Sequence, residues 1–170
     1  MAVRTHTLDL AQLALASGEG RRLDLETRVD PLVLAERSYG AGDAVPVRID
    51  VSRTTSGYSL RLRADVSLEG PCMRCLEGAE RQVLIDAREI DQPGGGEDLT
   101  SPYVDGDELD VGAWTHDALA LALPARIICR EECRGLCAVC GENLNSAGPG
   151  HTHEPEPDPR WAVLRELRLE

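Results

Sequence analysis

Eight side chains able to ligate a metal stand in four short pairs. Cys72 and Cys75 form a CxxC, Cys129 and Cys133 a CxxxC, Cys137 and Cys140 a second CxxC, and His151 and His153 an HxH. Two such donors on a tight turn converge on one ion, and zinc takes four nitrogen or sulfur ligands in a tetrahedron. The set uses all 6 cysteines of the chain and is large enough for one or two structural zinc ions. Gly141, directly after the second CxxC, can relieve backbone crowding at such a turn. A shell closed by four protein ligands leaves no place for water or substrate, so the chemistry implied is structural, not catalytic.

The pairs can combine in three ways. The preferred partition joins Cys72 and Cys75 to Cys129 and Cys133, with residues 141–150 folding back to bring His151 and His153 to Cys137 and Cys140. A rival joins Cys72 and Cys75 to Cys137 and Cys140 and leaves the remaining cysteines free. A third is purely local, from Cys129, Cys133, Cys137 and Cys140. The histidine pair is the weaker half of the set, because histidines in a stretch such as "HTHEPEP" also suit a solvated loop.

The elements that must position these pairs read as α+β. In residues 58–69, Tyr58, Leu60, Leu62, Ala64, Val66 and Leu68 alternate with polar residues, the period of a half-buried strand. Val45, Val47, Ile49 and Val51 alternate likewise, and a short link ending at Gly57 predicts a hairpin between the two. Residues 80–90 predict a third strand, which puts Cys72 and Cys75 on a turn at the sheet end. Residues 91–108, rich in Gly, Pro and acids, read as a flexible loop. A helix follows, N-capped by Asp110 and ending before Pro124, with Trp114, Ala118, Leu121 and Ala122 on one face. A strand around "THTLDL" and a short helix are expected in the first forty residues. Near the other end, Asp158 and Pro159 can open a helix with Trp161, Leu164 and Leu167 as its docking stripe. The organisation expected is a core domain over 1–128, with the acidic loop at about 91–108, and a Cys/His-rich tail with a terminal helix over 129–170.

Hydrophobic content of 42% over 170 residues suits a globular domain. With two Trp, three Tyr and no Phe, the core must be mainly aliphatic. The net charge of −12 is uneven: residues 86–117 hold ten acids and one arginine, while the flanking segments are nearly neutral. That balance argues against a large non-specific nucleic-acid surface. The first residues hold no apolar run of membrane-spanning length and no secretory pattern. A cytoplasmic location is the expectation, and reduced thiols there favour metal over disulfides.

The residues "CMRCLEG", "LALP", "CREECRGLCAVCGENLN" and "DPRWAVL" occur in this order. They resemble the YceD family, the large ribosomal RNA subunit accumulation proteins, in the form with a late zinc knuckle, over about residues 45–167. The resemblance implies that Cys72 and Cys75 are the family's early CxRC pair and that Cys129 and Cys133 match its Cys or His positions after "LALP". Members without the late knuckle keep those two pairs, which supports the preferred partition. His151 and His153 stand where related members place a Cys or His pair. The resemblance also implies a role in synthesis, processing or stability of large-subunit ribosomal RNA.

Three function classes follow. The first is a non-enzymatic zinc-binding factor in large-subunit biogenesis. In it Arg48, Arg53, Arg61, Arg63 and Arg74 would meet RNA phosphates from the wet sheet face and the first metal turn, unless they are paired with Asp50, Asp65 and Glu69. The second is an adaptor whose acidic segment engages basic ribosomal proteins or an assembly enzyme. The third, an enzyme, is disfavoured. Cys72 and Cys75 lack the βα context of a redox CxxC, no His-x-Glu precedes the cysteines as in zinc deaminases, and no phosphate-binding glycine loop or HExxH is present. Neither a membrane nor a small-molecule substrate is implied.

Overall fold

The computed structural model describes residues 3–4 and 6–153. Its strands are β1 (Val3–Arg4), β2 (Thr7–Asp9), β3 (Gly20–Thr27), β4 (Leu32–Leu34), β5 (Arg37–Tyr39), β6 (Val45–Arg53), β7 (Tyr58–Pro71), β8 (Gly78–Asp91), β9 (Val104–Asp105) and β10 (Glu108–Asp110). Among the described residues one α-helix, α1 (Val111–Ala122), follows. The main sheet has the order β1-β3-β6-β7-β8 and is antiparallel except for the β1–β3 pair. The chain is thus α+β, as the alternation predicts.

Period-two patterning builds this sheet. Val45, Val47, Ile49 and Val51 of β6 and Tyr58, Leu60, Leu62, Val66 and Leu68 of β7 are all buried. The link between them closes where Thr54 N–H donates to the Gly57 carbonyl at 2.9 Å. The β7–β8 register runs unbroken from Tyr58 opposite Asp91 to Pro71 opposite Gly78. The longest ladder of the fold therefore ends at the turn that carries Cys72 and Cys75.

Helix α1 packs against β8. Asp110 is its N-cap, accepting from Ala113 N–H at 2.8 Å. Trp114 is buried and stacks on Tyr103, with 6.2 Å between ring centroids. The helix face differs from expectation. The buried residues are Val111, Gly112, Trp114, Thr115, Ala118 and Leu119, whereas Leu121 is 89% exposed and Ala122 is exposed too. Leu121 and Ala122 share the expected wheel positions. However, residues 120–122 are exposed throughout, so the last turn extends past the surface that the earlier turns cover.

Residues 91–108 are more ordered than their composition predicts. β9 and β10 join β2 in a three-stranded sheet. The buried Asp91 carboxylate accepts from Ser101 N–H at 3.2 Å, and Gln92 N–H donates to the Leu99 carbonyl at 2.7 Å. These loop bonds and the long-range β2–β10 pairing override local composition. The early strand forms as Thr7–Asp9, while the early helix is reduced to a 3-10 turn at Ala11–Leu13. β3 and the β4–β5 hairpin were not anticipated. The terminal helix expected around Trp161 lies outside the described residues.

Candidate metal centres

The first cysteine pair leaves the sheet at a braced point. Tyr39, on β5, lies so close to Gly70 that a Cβ there would come within 2.2 Å of its ring. Its hydroxyl donates to the Pro71 carbonyl at 3.0 Å. The turn then closes on itself. Cys72 N–H donates to the Glu77 carbonyl at 2.6 Å, Leu76 N–H donates to the Cys72 carbonyl at 3.0 Å, and Arg74 N–H points at Cys72 Sγ at 3.4 Å.

The second CxxC repeats this pattern bond for bond. Cys137 N–H donates to the Glu142 carbonyl at 2.8 Å, Gly141 N–H to the Cys137 carbonyl at 2.9 Å, and Val139 N–H to Cys137 Sγ at 3.4 Å. The residue after the second cysteine is left-handed in both, with φ of 65° at Leu76 and 76° at Gly141. An L side chain in that region costs roughly 1–2 kcal/mol. Leu76→Gly is therefore expected to leave thermal stability unchanged or to raise it by up to about 1 kcal/mol, the gain being partly offset by glycine's larger unfolded-state entropy. Gly141→Ala is expected to cost about 1 kcal/mol. A Leu76→Gly loss above about 2 kcal/mol in thermal denaturation would show that side-chain packing outweighs the backbone term.

The CxxxC pair reaches the first turn from α1. Met73 N–H donates to the Ile127 carbonyl at 2.9 Å, and Ile127 is fully buried. Two clusters result. In the inner one, Cys72, Cys75, Cys129 and Cys133 place their sulfur atoms within 4.8 Å of one another. The Cys72–Cys133 and Cys75–Cys129 sulfur separations are 3.8 and 3.7 Å. A tetrahedral shell with Zn–S bonds of about 2.3 Å has edges of about 3.8 Å. In the outer cluster, one ligand atom each of Cys137, Cys140, His151 and His153 also lies within 4.8 Å of the others. Cys140 Sγ is 3.7 Å from His151 Nε2, which is 3.1 Å from His153 Nε2. The corresponding edges around zinc are about 3.6 and 3.3 Å. Both clusters could hold a metal ion. The structure groups the donors as in the preferred partition, and neither alternative combination is brought together.

The electrostatics of the inner cluster suit a cation. Burial opposes ionisation of Cys72, yet backbone N–H groups of Cys75, Arg74 and Cys129 outweigh it and hold the thiol down at about 6. Burial and the neighbouring thiols push Cys75 up to about 12. Burial also raises Cys129. At Cys133 burial is overcome by the Asn145 amide and the Gly135 N–H, and the net direction is down. Some thiols ionise readily and thereby block the rest, and a divalent ion removes that conflict. In the outer cluster, His151 and the N–H groups of Cys140 and Val139 lower Cys137 to about 6.

Two further residues carry roles that spacing does not disclose. Glu142 Oε2 lies 2.9 Å from His151 Nδ1, leaving Nε2 to face the cluster. This is the arrangement in which a carboxylate orients a ligating imidazole. Asn145 Nδ2 lies 3.5 Å from Cys133 Sγ. Both residues sit in the "GENLN" stretch, and the pattern itself offers no signal for either contact.

The five arginines singled out for RNA are all engaged. Arg48 pairs with Asp24 at 2.7 Å, and Arg61 grips Asp86 with two nitrogens at 2.6 and 2.7 Å. Arg63 pairs with Asp50, which also holds Arg22 at 2.6 Å. Arg53 stacks over Tyr58 at 4.5 Å, and Arg74 Nη1 donates to the Cys133 carbonyl at 2.6 Å. Of the acids expected as partners Asp50 is used, but Asp24 and Asp86 take the places given to Asp65 and Glu69. Contact with Arg22 and Arg63 lowers the Asp50 carboxyl, and Arg61 lowers Asp86. These folded values lie below the unfolded one, so the pairs stabilise the fold above the ordinary carboxylate range. That contribution is expected to disappear as pH falls from about 4 downward. Exposed pairs are each worth little, so acid titration of Arg61→Gln should show only a small change in this window. A large change would mean that the pair is a main support of the sheet.

Among the described residues, no helix is long and apolar enough to cross a membrane. No solved structure matches the chain. An uncharacterized protein of Mycobacterium tuberculosis is 38% identical over 104 residues, covering 58% of this chain and 49% of that protein. An uncharacterized protein of Mycobacterium leprae is 33% identical over 103 residues, covering 56% and 46%. The chain thus spans about half the length of the curated relatives it matches. The family described as large ribosomal RNA subunit accumulation protein YceD matches residues 60–168, a stretch that contains all eight clustered donors. With most of its length inside that match, the chain belongs to the YceD family.

Proposed function

We propose that this chain is a non-enzymatic factor in large ribosomal subunit biogenesis, supporting synthesis, processing or accumulation of 23S rRNA, and that two structural zinc ions hold its working shape. The family match supports the ribosomal role. The observation that carries the structural part is the inner cluster, where buried sulfurs from the β7–β8 turn and the segment after α1 meet at tetrahedral spacing. Four-thiolate and two-thiolate, two-imidazole sets suit zinc, and both are complete without an open position. Zinc supplies a fixed cross-link there, and the side chains hold it while Glu142 and Asn145 orient two of the ligands.

The test is complementation. A bacterium lacking its own family member is expected to recover its ratio of large- to small-subunit rRNA when given this chain, and not when given the Cys75→Ser variant. A ratio indifferent to loss of the family member would end the ribosomal reading.

A second reading concerns the partner. Arg48, Arg61 and Arg63 are already paired with carboxylates, whereas residues 86–117 hold ten acids and one arginine, of which Asp86 is paired with Arg61 and Asp91 is buried. This favours an adaptor that engages basic ribosomal proteins or an assembly enzyme without direct RNA contact. Arg61→Gln combined with Arg63→Gln is then expected to leave co-purification with pre-ribosomal particles unchanged, and RNase treatment should not abolish recovery of the protein partner. A weaker, less salt-dependent association of the variant with RNA would show direct phosphate contact instead.

A further inference from the structure

The outer cluster is built onto the inner one. Gly135, buried and left-handed with φ of 78°, sits where a Cβ would come within 3.2 Å of the Arg74 carbonyl. The next residue, Leu136, donates its N–H to that carbonyl at 3.1 Å. Arg74 in turn donates from Nη1 to the carbonyl of Cys133, a ligand of the inner set. The base of the second turn is closed by the Leu136–Asn143 bridge and by Leu144 N–H on the Gly135 carbonyl at 2.9 Å. One side chain joins both parts. The Asn145 oxygen accepts from Arg134 N–H at 2.8 Å, and its amide nitrogen reaches both Asn143 Oδ1 at 2.8 Å and Cys133 Sγ at 3.5 Å.

Among the described residues the outer region has little else to order it. Residues 134–153 contribute nothing to the buried hydrophobic core, which among the described residues ends in sequence at Cys133. Leu136 and Val139 are exposed. Among the described residues its backbone is fixed at two places, its own ligand cluster and the stitches to Arg74 and Cys133.

On this basis we infer that the two centres bind metal cooperatively, with Asn145 as the positioning residue that couples them. The inference rests on the zinc reading above. A metal in the inner centre fixes Cys133 and, through its sulfur and carbonyl, holds Asn145 and Arg74 where the outer turn must start. The outer turn then binds its ion with less ordering still to be done. Linkage makes the effect reciprocal, so the outer ion tightens the inner one by the same factor.

A cycle of four proteins tests this: wild type, Asn145→Ala, Cys140→Ser and the double variant. Cobalt and zinc titrations in competition with a chromophoric chelator give the affinity of the inner centre, which its four-sulfur charge-transfer band distinguishes from the outer one. Losing the outer ion through Cys140→Ser is expected to weaken the inner centre roughly fivefold to tenfold, a modest coupling. Asn145→Ala is expected to weaken it by a similar factor while still binding two ions, and in the Cys140→Ser background the same change should cost clearly less than it does in the wild type. Multiplying factors in the double variant, or an inner affinity indifferent to Cys140→Ser, would overturn the coupling and leave the zinc reading intact. A wild-type chain that takes up neither metal would overturn both.

Discussion

Replacing Cys133 with alanine is expected to release one zinc ion per chain and to free the segment after α1 from the sheet. Three buried or half-buried thiols would remain at the inner centre without the fourth donor, and their mutual repulsion would no longer be offset. Structural zinc contributes apparent folding free energy of roughly 10 kcal/mol or more, comparable with the whole stability of a typical domain. The sheet keeps its own aliphatic core of Val47, Ile49, Leu60, Leu62 and Val83. The loss should therefore be local, not global. Arg126 and Arg134, both exposed, supply tryptic sites in the affected segment. Cleavage there should accelerate strongly in the variant and in the chelated wild type, with the β6–β8 ladder surviving as a resistant fragment. Unchanged tryptic resistance after loss of the ion would show that packing of Ile127, not the metal, holds the segment.

Trp114→Ala is the second large effect expected. The indole is 1% exposed and stacks on Tyr103, and truncation of a buried aromatic leaves a cavity costing about 3–5 kcal/mol. The neighbouring strand β10 should loosen with it, since Asp110 N–H donates to the Tyr103 carbonyl at 2.8 Å. Leu121→Ala is the control. At 89% exposure it should move stability by less than about 0.5 kcal/mol in denaturant titration. Equal costs for the two would restore the helix face expected from the wheel alone.

These cases show what a sequence of this kind discloses. Strands β6, β7 and β8 were legible because one side of each faces a core and the other faces water, so burial writes itself as alternation. Strand β3 was harder, because only Leu23, Leu25 and Thr27 mark its inner face and Arg21 and Arg22 open it. The ordering of residues 91–108 leaves no periodic signal, because the Asp91–Ser101 bond is a single loop contact and the β2–β10 pairing depends on a partner about a hundred residues away. Leu121 misled because a helical wheel gives direction and not the extent of the surface beneath it. The donor pairs were legible as pairs, since spacing sets how two ligands share a turn. How the pairs combine is a matter of tertiary distance, which loop length and a full use of the cysteines can favour but not fix. Glu142 and Asn145 left no trace, because an ordinary polar residue becomes an orienting group only through the fold.

The most direct measurement is native mass spectrometry of the purified chain, read beside Cys133→Ala and Cys140→Ser. The wild-type mass should carry two zinc ions and each variant one, with all ions removed by a strong chelator. A folded wild-type chain whose mass carries no metal, with all six thiols open to alkylation, would contradict this.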